Sequence, residues 1–379
     1  MTHYRGLTWD HPRGTDALRA AAAAFSADGP DTLTWEAQPL EGFESAPIER
    51  IAAEFDLVVL DHPHLGDARA HDALHPLDAL FSTDELTAWS DAAVGPSFTS
   101  YVLEGRPWAL PLDAATQVAA WRPDALDAAP ATWDEAVALA SRTARVAPSL
   151  AGPHAFLSWC SIAVGLGEEP ARGDILLSRA TGAEALRVLR ALHGSAPAGT
   201  IGQNPISLLE RLRTGDDLDY LPLVYGYVTY AQGEGGVRFG APPTAGPRIG
   251  STLGGTGIAI SRRCSPSAAL IDHLRALMSS DLQRGLIPAH AGQPSARAAW
   301  TDEAVDSASG GFYSSTLTTI DQAWVRPRFA GYIPFQSAAS ALLRAGVTDD
   351  IETGTVLHEL EELFHTARAA AATPERMPA

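Results

Sequence analysis

The sequence contains no lysine, so all 27 of its basic residues are arginine. Its 45 acidic residues give a formal net charge of -18 at pH 7. A chain with this balance repels phosphate backbones, and its arginines form no concentrated basic stripe that would reverse the effect locally. We therefore expect no nucleic-acid partner.

Cysteine and long apolar runs are also scarce. Cys160 and Cys264 are the two cysteines, and their spacing suggests neither a metal pair nor a disulfide framework. One long-range disulfide between them stays open, although two buried thiols are favoured. No apolar run approaches the ~18 residues that span a bilayer, so we expect a protein that is not membrane-spanning.

The first ten residues, MTHYRGLTWD, lack the basic, apolar and small-residue regions of a secretory signal. Two expectations follow from this. If a signal has been removed, the protein works outside the cytoplasm, in the periplasm or on a lipid anchor. If Met1 is the native start, it works in the cytoplasm.

A length of 379 residues exceeds what one hydrophobic core usually supports, so we expect two lobes. The first lobe alternates strand and helix, with strands predicted at 4–9, 32–40 and 56–61. Strands separated by helices indicate right-handed βαβ units and a parallel sheet. The all-apolar segment Leu57–Leu60 is typical of a strand covered on both faces.

Two of these strands end in the same phrase, Asp-His-Pro, at 10–12 and at 61–63. In open α/β sheets, ligands bind beyond the carboxyl ends of the strands. If the two strands are neighbours, one crevice receives Asp10, His11, Asp61, His62 and the following His64. The alternative is that the aspartates cap turns or helices and the histidines are surface polar groups. Repetition at two equivalent strand ends favours a site.

Further segments follow in a recognisable order: DARAHDALHPLD (67–78), EGRPWALPLDAATQVAAWRPDAL (104–126), TWDE (132–135), YGY (225–227), GGTGIAIS (254–261) and AALIDHLRALMSSDLQRGL (268–286). In this order the chain resembles the family 1 extracellular solute-binding proteins of ABC transporters, a group that includes sugar binders. The resemblance covers nearly the whole sequence.

The resemblance implies an α/β fold of the two-lobed, type II periplasmic-binding-protein kind, each lobe a mostly parallel sheet flanked by helices. It implies an N-lobe of 1–112 and 256–308, a C-lobe of 113–255 and 309–379, and a ligand cleft between them. The hinge is crossed three times, near 111–114, 254–256 and 305–312. The expected working form is a monomer without a cofactor, whose partners are a small ligand and an ABC permease.

The family grips sugars with carboxylates and amides on the hydroxyls and with aromatic rings on the sugar face. By position, the resemblance gives as ligand-binding candidates Asp10, His11, Asp61, His62, His64, Asp113, Gln117, Tyr225, Tyr227, Gly254, Gly255 and Tyr332. Further, weaker candidates are Trp121, Tyr230 and Gln336.

Three histidines at two strand ends depart from the usual sugar-binding pattern. The leading interpretation is a receptor that captures a small polar ligand, a sugar or a sugar-derived hydroxylated acid, for ABC-type uptake. The rival is a cytoplasmic enzyme that uses His11, His62, Asp10 and Asp61 as general acids and bases. Two histidines and a carboxylate also suggest a metal site, but adjacent Asp61 and His62 point differently, so we expect no metal.

Overall fold

The computed structural model describes residues 1–233, 235–246 and 248–372. The chain folds into two compact units. Unit 1 comprises Met1–Thr116, Tyr227–Gly233 and Leu253–Asp321, and unit 2 comprises Gln117–Gly226, Glu234–Thr252 and Gln322–Ala379. None of the helices in the described part of the chain is both long and apolar enough to cross a lipid bilayer.

The units divide the chain at other residues than the predicted lobes. Unit 1 continues to Thr116 and to Asp321, beyond the predicted 112 and 308, and it takes in 227–233. The chain accordingly passes between units at 116–117, 226–227, 252–253 and 321–322, and it also returns to unit 2 after Gly233. Aromatic packing explains the last shift, because Phe312 and Tyr313 lie 6.4 and 5.1 Å, between ring centroids, from Trp300 in the same unit.

The strands of the described residues are β1 (His3–Trp9), β2 (Thr32–Gln38), β3 (Leu57–Leu60), β4 (Val102–Leu103), β5 (Arg106–Pro107), β6 (Leu110–Trp121), β7 (Tyr220–Tyr225), β8 (Arg238–Gly240) and β9 (Leu253–Ile260). The three strands predicted near the N-terminus are confirmed, each within about two residues of its predicted ends.

The helices before strand β7 are α1 (Pro12–Asp28), α2 (Leu40–Ser45), α3 (Ile48–Glu54), α4 (Leu65–Ala70), α5 (Thr83–Ala92), α6 (Trp133–Thr143), α7 (His154–Gly165), α8 (Arg179–His193) and α9 (Pro205–Thr214). The later helices are α10 (Ala268–Leu277), α11 (Ile287–Ala289), α12 (Arg297–Trp300), α13 (Glu303–Ala308), α14 (Phe312–Asp321), α15 (Tyr332–Thr348) and α16 (Thr353–Ala372). Short 3₁₀ turns lie at His62–His64 and Val228–Tyr230, and a π-helical turn lies at Leu282–Leu286.

The sheet of unit 1 has the order β2-β1-β3-β9-β6. Its first three strands are parallel, as predicted, with Gly6 level with both Trp35 and Leu57. β9 then runs antiparallel to β3, and β6 antiparallel to β9. The parallel part results from helical crossovers, since a parallel pair cannot be joined by a tight hairpin.

The sheet of unit 2 corrects the prediction of a mostly parallel sheet in each lobe. From Gln117 onward, β6 pairs antiparallel with β7 on one side and with β8 on the other. β6 is one long strand, and its direction is already determined in unit 1 by its pairing with β9. The sequence marks these segments as strands, but alternation and apolarity do not encode strand direction.

The core of unit 2 is formed by α6, α7, α8, α15 and α16 around large buried side chains such as Phe156, Trp159 and Phe364. The predicted capping box of α6 is confirmed, because Thr132 Oγ1 accepts the Glu135 N–H at 3.2 Å while Glu135 Oε2 accepts the Thr132 N–H at 3.1 Å. Both cysteines are buried free thiols, which excludes the disulfide that the sequence left open.

Candidate functional site

The two Asp-His-Pro phrases follow neighbouring parallel strands, which meets the condition on which a shared crevice depends. Gly6 and Leu7 of β1 are level with Leu57 and Val58 of β3. Extending this register by three residues brings Asp10 opposite Asp61, just beyond the strand ends. The two phrases therefore share one end of the unit 1 sheet, where Asp10 is exposed and Asp61 is half-buried.

His11 caps helix α1. Its Nδ1 accepts the Arg13 N–H at 3.1 Å, and Pro12 occupies the first helical turn. Burial, and then the nearby Arg13 charge, lower the pKa of His11 to about 4, while Asp16 acts in the opposite direction. The ring is thus neutral at pH 7, and because Nδ1 is the acceptor, the proton lies on Nε2.

His62 and His64 have other environments. His62 is 0% exposed, and its backbone N and Nδ1 lie 2.9 and 3.1 Å from Asp61 Oδ1. His64 is also buried, with Nε2 3.3 Å from the Phe43 carbonyl oxygen. Asp61 therefore caps the turn at 62–64, in agreement with the capping alternative, and both imidazoles lie in the interior.

The described residues contain no group of three or more His, Cys, Asp and Glu side chains that could hold a metal ion. The two-histidine, one-carboxylate alternative is therefore not assembled there. His11 is stacked on Trp9 rather than turned toward His62, with ring centroids 5.3 Å apart and planes 7° from parallel.

An aromatic cluster surrounds His11. The Tyr227 ring stands edge-on to His11 and to Trp9, with centroids 5.0 and 5.9 Å apart. The Arg13 guanidinium carbon lies 4.6 Å from the centre of the Tyr227 ring and 5.6 Å from that of Trp9. Such cation–π contacts gain strength when they are desolvated, and Tyr227 is only 4% exposed.

Asp113 holds the other side of Arg13. Arg13 Nε and Nη2 donate to the two carboxylate oxygens of Asp113 at 2.8 and 2.5 Å, in a bidentate, buried ion pair. Burial by itself would lower the pKa of Arg13, but the charge and hydrogen bonds of Asp113 raise it overall. Asp113 was predicted to bind the ligand, and here both its oxygens already serve Arg13.

Sequence reasoning missed Arg13. The available signal was its position, three residues after Asp10 in the first turn of a helix that starts at a strand end. We refer to Trp9, His11, Arg13, Asp113 and Tyr227 as the strand-end cluster. All five belong to unit 1.

The predicted glycines lie next to this cluster in β9. Gly254 and Gly255 pair with Ala115 and Ala114 of β6. Gly255 has φ +96°, and a Cβ there would lie 2.3 Å from the Asp113 carbonyl oxygen. Only glycine fits this backbone approach, so Gly255 allows β9 to lie close to the Asp113 backbone of β6.

The candidates of unit 2 are mostly interior. Gln117 is 0% exposed, and its Oε1 accepts from Ser161 Oγ at 2.5 Å. Tyr332 is 1% exposed, with its ring centroid 5.3 Å from that of Phe329. Tyr225 is half-buried against His154.

The weaker candidates divide between the two units. In unit 2, half-buried Trp121 packs on the core and buried Gln336 accepts from Arg326. In unit 1, buried Tyr230 lies 6.3 Å from Tyr227. The ligand-binding assignments of all these residues stay predictions.

A model of the bacterial extracellular solute-binding protein family matches residues 20–307, well over half of the chain. The chain belongs to this family. No curated protein sequence matches it. The family assignment therefore rests on the family model, which matches residues 20–307 of this solute-binding protein.

Solved structures give the solute-binding protein the same two-lobed α/β fold. A ribitol complex of an ABC transporter solute-binding protein from Agrobacterium radiobacter K84 has a TM-score of 0.82 at 20% identity, covering 96% of this chain and 98% of that one. Maltose-bound MalE3 of T. maritima has a TM-score of 0.80 at 19% identity, covering 97% and 100%. A D-mannitol complex from Agrobacterium vitis S4 has a TM-score of 0.76 at 15% identity, covering 99% and 100%. These likenesses confirm the predicted fold.

Proposed function

We propose that this solute-binding protein captures a small hydroxylated solute, a sugar or a polyol, at the end of the unit 1 sheet where Asp10, His11 and Asp61 lie, which we call the strand-end face. It then delivers the solute to an ABC-type permease. It acts as a monomer outside the cytoplasm. The ligands of structurally similar proteins, ribitol, maltose and D-mannitol, support the ligand class.

The observation that carries this proposal is the set of hydrogen-bonding groups at the strand-end face. A hydroxyl group both donates and accepts a hydrogen bond. Asp10 and Asp61 offer carboxylate oxygens as acceptors at two adjacent strand ends, and half-buried His11 offers the Nε2 proton as a donor. Because the pKa of His11 is lowered to about 4, this donor is present without a charge at pH 7.

Arg13 supports the preference for an uncharged ligand in unit 1. Its guanidinium is already neutralised by Asp113 and covered by the Tyr227 ring. The two carboxylates of the face, Asp10 and Asp61, would repel an anionic group that approached it. We therefore propose sugars and polyols as ligands in preference to sugar acids.

Thermal unfolding with a panel of solutes tests the proposal. We expect ribitol, D-mannitol, maltose or a related neutral solute to raise the melting temperature, because a ligand at 100 times its Kd stabilises the folded state by about 2.7 kcal/mol. Gluconate, as a carboxylate control, should raise it less. Nuclear magnetic resonance of the mixture should show the solute unchanged after incubation.

Two outcomes would contradict the proposal. If none of the neutral solutes shifts the melting temperature while gluconate does, the ligand class is wrong. If a solute binds and is chemically converted, the protein is an enzyme that has reused the fold.

A further inference from the structure

Segment 227–233 belongs to unit 1, although the chain on both sides of it belongs to unit 2. The segment carries Tyr227, which supplies the edge-on ring of the strand-end cluster. A short piece of chain that leaves one unit for another requires specific anchors to stay in place. One such anchor is a glutamine that the sequence analysis did not identify.

Gln293 is 0% exposed and uses both ends of its amide. Its Oε1 accepts the Val228 N–H at 2.8 Å, and its Nε2 donates to the Ala114 carbonyl at 3.0 Å. The backbone carbonyl of Gln293 in turn accepts the Ala114 N–H at 3.1 Å. Gln293 therefore links strand β6, one residue after Asp113, to the residue that follows Tyr227.

The loop that bears Gln293 is itself held firmly. Gln283 lies in the π-helical turn, is fully buried, and accepts the N–H groups of Ser295 and Ala296 at 2.9 and 3.0 Å. Ser295 Oγ also donates to the Pro111 carbonyl of β6. Gln293 is thus presented from a rigid support rather than from a free loop.

We infer that Gln293 is a positioning residue of the ligand site, which anchors segment 227–233 on unit 1 and thereby holds the Tyr227 ring against His11 and Arg13. Two connections start from adjacent residues of β6. Asp113 holds Arg13 beneath the Tyr227 ring, and Ala114 holds Gln293, which fixes the backbone next to Tyr227. The side chain and the main chain at Tyr227 are therefore fixed from one strand.

The inference rests on the proposed function only for its effect on affinity, so the first two readouts need no ligand. Gln293→Met keeps the length of the side chain and removes both hydrogen bonds. We expect the rate of amide hydrogen exchange in a peptide covering 226–231 to rise about fivefold or more, which corresponds to the loss of one neutral hydrogen bond. Exchange in β1 should change little.

The second readout is the titration of His11 by nuclear magnetic resonance, with its signal assigned by comparison with His11→Gln. Burial is the main cause of its lowered pKa, and Tyr227 supplies part of that burial. Gln293→Met should therefore move the pKa of His11 upward from about 4 toward its ordinary value of 6.5.

The matched control is Ser261→Ala, which removes a fully buried side-chain hydrogen bond elsewhere in unit 1, from Ser261 Oγ to the Phe55 carbonyl at 2.6 Å. It should lower the melting temperature while leaving the exchange of 226–231 and the His11 titration near those of the wild type. If Gln293→Met does not fold, Gln293→Asn replaces it, because its amide is one methylene short of Val228.

Affinity is measured last, with the neutral solute that binds wild-type protein. Gln293→Met alone should weaken binding several-fold. Added to Tyr227→Ala, it should cause no further loss of affinity. Unchanged exchange of 226–231 and an unchanged His11 titration would overturn the anchoring role. Faster exchange with unchanged affinity would overturn the role in the site, whereas failure of every solute to bind wild-type protein would count against the proposed function instead.

Discussion

Removal of the Asp113 carboxylate distinguishes a structural role for this residue from a ligand-binding one. In Asp113→Ala, Arg13 keeps its charge but loses its bidentate partner, and the two side chains are only 4% and 7% exposed. Breaking a buried pair from one side typically costs 3–5 kcal/mol, because the remaining charge is left uncompensated in the interior. We therefore expect the free energy of unfolding to fall by about 3–5 kcal/mol.

Asp78 provides the matched control for this change. Arg106 donates to both of its carboxylate oxygens at 2.8 and 2.6 Å, but the side chains are 46% and 37% exposed. An exposed pair of this kind contributes only about 0–1 kcal/mol. Urea unfolding of Asp113→Ala and Asp78→Ala, both in unit 1, compares the two pairs at equal geometry.

A double variant refines the test. Arg13→Met with Asp113→Ala removes both charges, and it should recover a measurable part of the stability lost in Asp113→Ala alone. Equal unfolding free energies for Asp113→Ala and Asp78→Ala would refute the reasoning. A selective loss of affinity with unchanged stability would return Asp113 to the direct ligand-binding role predicted from the sequence.

Two further predictions concern pH and backbone geometry. Burial lowers the pKa of His273 to about 4, so the contribution of the neutral ring to folding stability is complete above pH 6.5 and is lost as the pH falls toward 4, by up to about 3 kcal/mol. Between pH 7.5 and 4.5, the melting temperature of His273→Phe should therefore decrease less than that of the wild type. Equal decreases in the two proteins would contradict this prediction. Gly255→Ala should destabilise unit 1 clearly more than Gly105→Ala does. Both glycines have a positive φ, but a Cβ would lie 2.3 Å from the Asp113 carbonyl oxygen at Gly255 and would meet nothing within 4 Å at Gly105. Similar urea midpoints for the two variants would contradict the close approach at Gly255.

The sequence was sufficient to predict the first βαβ units and the two polar strand ends that follow β1 and β3. Leu57–Leu60 is continuously apolar and is followed at once by polar residues, which identifies both a buried strand and its end. The equivalent phrase after Trp9 then placed two strand ends together, and their register agrees. Strands and their ends can be predicted in this way because the order of apolar and polar residues within a short segment determines both.

The sequence did not reveal the partners of the site residues. Arg13 and Asp113 are 100 residues apart, and nothing in either segment indicates that they form a pair. Gln293 lies in the loop AGQPSA, where a glutamine has no spacing that distinguishes an anchor from a surface side chain. The burial of His62 likewise depends on neighbours such as Tyr101 that are remote in the chain.

The central claim is that the strand-end face of unit 1 binds a hydroxylated solute. Isothermal titration of wild-type protein, Asp10→Asn and Asp28→Asn with the neutral solute that stabilises it most tests this claim directly. Asp28 is also exposed but ends the same helix, α1, roughly 24 Å from its start. We predict one binding site in wild-type protein, affinity reduced about tenfold or more in Asp10→Asn, and unchanged affinity in Asp28→Asn. Equal affinities for Asp10→Asn and wild type would contradict the claim.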